Sequence, residues 1–229
     1  MQLSMRRWIS ASLAAMVAGV LMVSAGAGVA WAINVDCTVN FAAICVGANT
    51  ADFLEGEDVS DGVQGRKDVI KGLGGSDGAE GNGGSDRIYG ANGLDGDLAG
   101  TGGLNGGDGN DYLYGGNGDD ERIDGEDGDD YVSGGPDDDG IGPTNDGDLE
   151  GGSGDNKIDG GGGDDQIDAN DSLPGDVEDV IGGAGADTIW ADDGEVDNID
   201  CGTGNDTVTY DANAVATDTV NNCEIKIPV

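Results

Sequence analysis

Gly106-Gly107-Asp108-Gly109-Asn110-Asp111-Tyr112-Leu113-Tyr114 is the stretch on which the fold of this chain turns. Its glycines permit positive φ, so the backbone can bend tightly. Asp111 then leads into three residues rich in strand formers. Side chains alternate faces along a strand, so the middle residue, Leu113, points inward and both tyrosines face outward. The same glycine-turn, aspartate, one residue, aliphatic residue order recurs across residues 72 to 211. Two such units complete one coil of about eighteen residues, and coils stack at the spacing of paired strands, roughly 4.8 Å. The expected fold is all-β, a coil of parallel β-structure with turns stacked above turns on each edge.

The repeat is strict in places and broken in others. Asp77, Asp86 and Asp95 are spaced nine apart. Ile88, Val132, Ile141, Ile167, Ile189 and Val208 each stand two residues after an aspartate and are expected to face inward. Asp95-Gly96-Asp97-Leu98 and Asp146-Gly147-Asp148-Leu149 share one variant with an extra acidic residue before the leucine. Asn156 stands where an aspartate is expected, and residues 170–178, containing Pro174-Gly175, read as a loop pushed out of the coil. Between Asp52 and Asp68 the turns are poor in glycine, as expected of an entry cap or weakened coils.

The composition alone would suggest disorder. The 229 residues carry 47 acidic and nine basic side chains, a formal charge of −38, no histidine and 4% aromatic residues. Such a chain buries little apolar surface against its ordering entropy. A solvated linker, however, has no reason to place an aliphatic residue two positions after an aspartate again and again. Disorder without a ligand and order with one satisfies both facts. Turn carbonyls and aspartate carboxylates are hard oxygen donors, and Ca²⁺ takes six to eight of them. Ion binding would remove the repulsion between stacked carboxylates, so that binding free energy becomes folding free energy.

Residues 1–32 read as a secretory signal peptide. Arg6 and Arg7 form a positive front, the following segment is small and apolar, and Ala30-Trp31-Ala32 fits a small-x-small cleavage site. A single membrane anchor is the alternative, but the Ala- and Gly-rich run ending in a cleavage pattern favours a leader. Arg6-Arg7 raises a twin-arginine route, although Trp8-Ile9-Ser10 fits that signal poorly, which favours the general secretory route. The expected organisation is a leader at 1–32, an N-terminal cap at 33–46, a roll at 47–210 and a C-terminal cap at 211–229. Four cysteines in an exported chain suggest disulfides, and proximity favours Cys37 with Cys45 and Cys201 with Cys223.

The repeat resembles the RTX, or haemolysin-type, calcium-binding nonapeptide repeat, GGxGxDxUx with U aliphatic. Residues 106–114, 125–133 and 182–190 carry the likeness best, and it extends with gaps over about 47–209. The resemblance implies a right-handed parallel β-roll with several Ca²⁺ ions in its turns, held by the sixth-position aspartate and glycine-region carbonyls. The positions that match are Asp77, Asp86, Asp111, Asp120, Asp130, Asp139, Asp165, Asp187 and Asp206; Asp52, Asp61, Asp68, Asp95, Asp179 and Asp197 match less well. An N-terminal leader differs from the C-terminal export signal of many members. The segments flanking the expected roll are too short for the toxin, protease or lipase domain that many members carry.

Other chemistries fit poorly. Zinc is disfavoured by the lack of histidine and of any CxxC spacing. Asp127-Gly128-Asp129-Asp130 and Asp137-Asp138-Asp139-Gly140 lack the closing glutamate of an EF-hand loop. No Gly-Lys-Ser/Thr follows the glycine runs, which excludes a phosphate loop. Adjacent carboxylates such as Asp164-Asp165 are inevitable at this acidity and are no sign of glycosidase chemistry. Lys67, Lys71 and Arg87 read as isolated charges, and nucleic acid is excluded as a partner on charge. The reading is a secreted, extracellular, non-enzymatic calcium-binding repeat protein with a structural or surface role. The alternative is an adhesion or interaction protein that binds a cell-surface or polysaccharide partner through a flat face.

Overall fold

The computed structural model describes residues 33–36, 44–47, 52–55, 67–93, 95, 103–140, 148–170, 175–212 and 217–229. These residues contain strands and turns and no helix. Nineteen strands, numbered in chain order, form two sheets in which every pairing is parallel. One sheet holds β1 (Ile33–Asp36), β3 (Asp52–Glu55), β5 (Gly78–Glu80), β7 (Leu104–Asp108), β9 (Ile123–Asp127), β11 (Leu149–Glu150), β13 (Gln166–Asp168), β15 (Thr188–Ala191), β17 (Thr207–Tyr210) and β19 (Ile225–Pro228). The other holds β2 (Ile44–Val46), β4 (Val69–Lys71), β6 (Arg87–Asn92), β8 (Tyr112–Asn117), β10 (Tyr131–Gly135), β12 (Lys157–Gly162), β14 (Asp179–Gly185), β16 (Asn198–Gly204) and β18 (Thr219–Asn221). The chain visits the two sheets alternately, so each pair of strands makes one coil of a parallel β-roll. β1 and β2 at one end, and β18 and β19 at the other, extend the sheets beyond residues 47–210.

The register places like over like. Ile158 lies beside Val132 and Val180, and Ile167 beside Leu149 and Ile189. The core is therefore two facing columns of aliphatic side chains between the sheets. Leu54, Ile70, Ile88, Leu113, Ile123, Val132, Leu149, Ile158, Ile167, Ile189 and Val208 have no exposed surface. Ile141, expected inward, lies outside the described residues. The inward place between Ile123 and Ile167 belongs instead to Leu149. Asp139 still holds its turn, while the strand of that coil begins ten residues later, at Leu149. Sequence steps from coil to coil consequently range from 18 to 26 residues. Register follows the inward aliphatic and the turn aspartate, since a one-residue slip would expose the whole inner face, whereas extra loop length costs little.

The two outer faces differ in chemistry. On the even-numbered sheet, the Tyr89 and Tyr114 rings stack at 5.2 Å with planes 6° apart, and Tyr131 joins them at 5.5 Å from Tyr114. Lys71 and Arg87 are not the isolated charges expected from the sequence. Lys71 Nζ sits 5.4 Å from the Tyr89 ring centre, and the Arg87 guanidinium 5.1 Å from that of Tyr112. In-register stacking brings residues 18 or more positions apart into contact, and this proximity is invisible to linear spacing. On the odd-numbered sheet, Asp124, Glu150 and Asp168 stand side by side. There Arg122 bonds Asp124 at 2.6 Å, and burial with neighbouring carboxylates pushes Glu150 up to about 7. Cys201 is joined to Cys223, with Cα atoms 5.2 Å apart, which ties β16 to the last coil. The expected partnership of Cys37 with Cys45 falls outside the described side chains.

Leu113→Ala should cost about 2–5 kcal/mol in denaturant unfolding of the calcium-loaded protein. Tyr112→Ala, on the exposed face of the same strand, should cost under about 1 kcal/mol.

Candidate metal centre

Most turns hand the chain to the next strand through one acidic residue, and those residues are inside the protein. Asp77, Asp86, Asp111, Asp120, Asp130, Asp139, Asp165, Asp187 and Asp206 are all at most 4% exposed. Asp68, Asp95 and Asp197, weaker matches by sequence, are equally buried. Asp179 is not: it is exposed at the start of β14, and the preceding Glu178 takes the buried position. The side chains of Asp52 and Asp61 lie outside the described residues.

These residues form two ladders, one along each edge of the roll. A rung consists of a side-chain oxygen that accepts the backbone N–H of the acidic residue in the coil before. On one edge Asp86 N–H donates to Asp111 Oδ1 at 2.6 Å and Asp111 N–H to Asp130 Oδ1 at 2.7 Å. On the other, Asp95 N–H donates to Asp120 Oδ1 at 2.8 Å, and the series runs through Asp139, Asp165 and Asp187 to Asp206. Asp218 and Glu224 finish the two ladders by accepting from Asp197 and Asp206. Glu178, Asp218 and Glu224 were missed by the strict motif. The signal that could have found Glu178 and Asp218 is an acidic residue two before an aliphatic one, as in Glu178-Asp179-Val180 and Asp218-Thr219-Val220.

The second carboxylate oxygen defines the site. Oδ2 of Asp86, Asp95, Asp111, Asp120, Asp130, Asp139, Asp165, Asp187, Asp197 and Asp206 is buried with no hydrogen-bond partner. A buried anionic oxygen left this way is costly unless a proton or a cation meets it. Burial accordingly raises these carboxyls. The backbone N–H in each rung pulls the other way, and neighbouring carboxylates mostly add to the rise. Asp86, Asp95 and Asp165 reach about 7, Asp120, Asp130 and Asp139 about 8, and Asp111, Asp187 and Asp197 about 6.

Glycine is required where the carboxylate presses on the turn. A Cβ on Gly106 would stand 2.6 Å from Asp111 Oδ2 and 2.6 Å from the Gly125 carbonyl oxygen of the next coil. Gly107 and Gly109 of that turn have φ of 95° and 141°, which side-chain-bearing residues rarely adopt. Among the described residues no three His, Cys, Asp or Glu side chains converge on one point. A bound ion would therefore draw on one or two carboxylates and several backbone carbonyls. That all-oxygen donor set fits Ca²⁺ rather than a metal that prefers nitrogen or sulfur.

Four copies of the RTX calcium-binding nonapeptide repeat match this chain, at residues 64–96, 105–141, 144–171 and 175–208. The chain belongs to this family. The matched residues make up more than half of its length and include the ladder members from Asp68 to Asp206. No match is found among curated proteins or solved structures. Membership makes the roll a calcium-binding structural repeat, in keeping with its buried carboxylates.

Two outcomes follow from this geometry. Gly160→Ala would place a methyl group 2.5 Å from both Asp165 Oδ2 and the Gly182 carbonyl oxygen, and should lower the ion count measured by calorimetry by at least one. Asp86, Asp95, Asp111, Asp120, Asp130, Asp139, Asp165, Asp187 and Asp197 have folded values of about 6 to 8 against an ordinary 3.8. Their contribution to stability without metal is full below about pH 4 and is lost as pH rises through 6 to 8. Metal-depleted protein should thus give a stronger β signal in circular dichroism at pH 4 than at pH 8.

Proposed function

We propose that this chain is a secreted, extracellular and non-catalytic structural module that folds when Ca²⁺ enters its turns. Export would use the leader at 1–32, leaving the chain poorly ordered where free calcium is scarce and ordered where it is plentiful. The disulfide between Cys201 and Cys223 supports an oxidising compartment. The ions would be held by Asp77, Asp86, Asp111, Asp120, Asp130, Asp139, Asp165, Asp187 and Asp206, with Asp68, Asp95 and Asp197 added as equals. The observation that carries the reading is the buried, unpartnered Oδ2 that recurs along both ladders.

The alternative, an interaction protein working through a flat face, draws on the strip of tyrosines with Lys71 and Arg87. Those rings are already engaged with one another and with the two cations. Cross-strand stabilisation accounts for them, and the structural role is preferred.

The test is circular dichroism and small-angle scattering of the secreted form. In chelator at pH 7.5 it should be an expanded coil, and millimolar Ca²⁺ should convert it to a β-rich rod. A compact particle unchanged by exhaustive chelation would refute the proposal. Asp120→Ala and Asp130→Ala should each reduce the number of ions bound, and an unchanged number would remove that residue from the site.

A further inference from the structure

Asn156 occupies a ladder position flanked by acidic residues, Asp130 in the coil before and Glu178 in the coil after. Its Oδ1 accepts the Asp130 N–H at 2.8 Å, as the carboxylates do in other rungs. Its Nδ2 does what no carboxylate can. It donates to the Gly152 and Gly154 carbonyl oxygens of its own turn, at 3.0 Å each, and lies 3.5 Å from Glu178 Oε1. The orientation of the amide is set by its surroundings. Reversed, it would face N–H against N–H at Asp130 and oxygen against two carbonyl oxygens in the turn.

Two turn carbonyls and a carboxylate from the next coil thus converge on a nitrogen that carries partial positive charge. The same oxygens, around an aspartate, are a donor set for a hard cation. We propose that Asn156 is a built-in replacement for Ca²⁺: its amide closes the turn at 151–156 by hydrogen bonds, and that turn takes no ion. The ion row on this edge is then divided into two runs, one on either side of Asn156. When calcium is withdrawn, the neighbouring turns lose what holds them, whereas this one keeps its own hydrogen bonds. The inference rests on the calcium reading above and adds where along the edge calcium is absent.

The test compares the full-length chain with its Asn156→Asp variant in saturating Ca²⁺, counting bound ions by elemental analysis after gel filtration. Asn156→Asp exchanges the donor for an oxygen and should bind one more ion than the wild type. Asn156→Ala, which lacks both donor and carboxylate, should bind no more than the wild type. A count for Asn156→Asp equal to that of a calcium-loaded wild type overturns this inference alone. A wild type that binds no calcium overturns the calcium reading together with it. Hydrogen exchange on the wild type gives a readout independent of whether a variant folds. In limiting chelator, amides at 151–156 should exchange more slowly than those at 106–111, and equal or faster exchange overturns the proposal.

Discussion

Stacking carboxylates coil upon coil along both edges, inside the protein, is the constraint that governs this molecule. Asp111, Asp120, Asp130, Asp139, Asp165, Asp187 and others satisfy one oxygen through the backbone of the preceding coil and leave the other facing the turn. The hydrogen bond transmits register from coil to coil, and the leftover oxygen makes the stack dependent on positive charge. A single feature therefore aligns the roll and, under the proposed reading, ties its stability to a bound cation. The raised carboxyls say the same thing in proton terms: without metal, the folded state favours the neutral acid.

The hydrophobic core does a different job. Its two columns are narrow, and most strands from β3 to β17 contribute one large fully buried side chain, such as Leu113 from β8 or Val132 from β10. Such a core specifies which face points in but is thin for a chain with 47 glycines and 47 acidic residues. The cross-coil hydrogen bonds, the tyrosine stack and the disulfide at the C-terminal end reinforce it. Coils that differ by as much as eight residues in length still stack in register, because Asp and aliphatic positions are held while the excess leaves at the edges.

Much of the site was legible from spacing, since an aspartate two residues before an aliphatic one has to enter a strand from a turn. That rule places Asp111, Asp130 and Asp187 without coordinates. It misassigned Asp179, because Glu178-Asp179-Val180 offers two acidic residues and only the pleat says which one faces the turn. It also undervalued Asp68, Asp95 and Asp197, whose turns depart from the glycine pattern but whose burial is the same. Leu149 could not be chosen over Ile141 from order alone, since both follow an acidic residue at a plausible distance.

Local sequence by itself determined the repeating unit, the alternation of inward and outward side chains, the family and the class of ion. Each depends on residues within nine positions of one another, and local backbone preference and side-chain chemistry are enough to read them. Only the tertiary structure decided which residues 18 to 26 positions apart become neighbours. It joined Lys71 to Tyr89, paired the Asp111 and Asp130 carboxylates with particular N–H groups and turned the Asn156 amide toward its own carbonyls. The reason is physical. Coil-to-coil contact is set by how much chain is looped out between two turns, and loop length leaves no imprint on the local pattern that defines a turn.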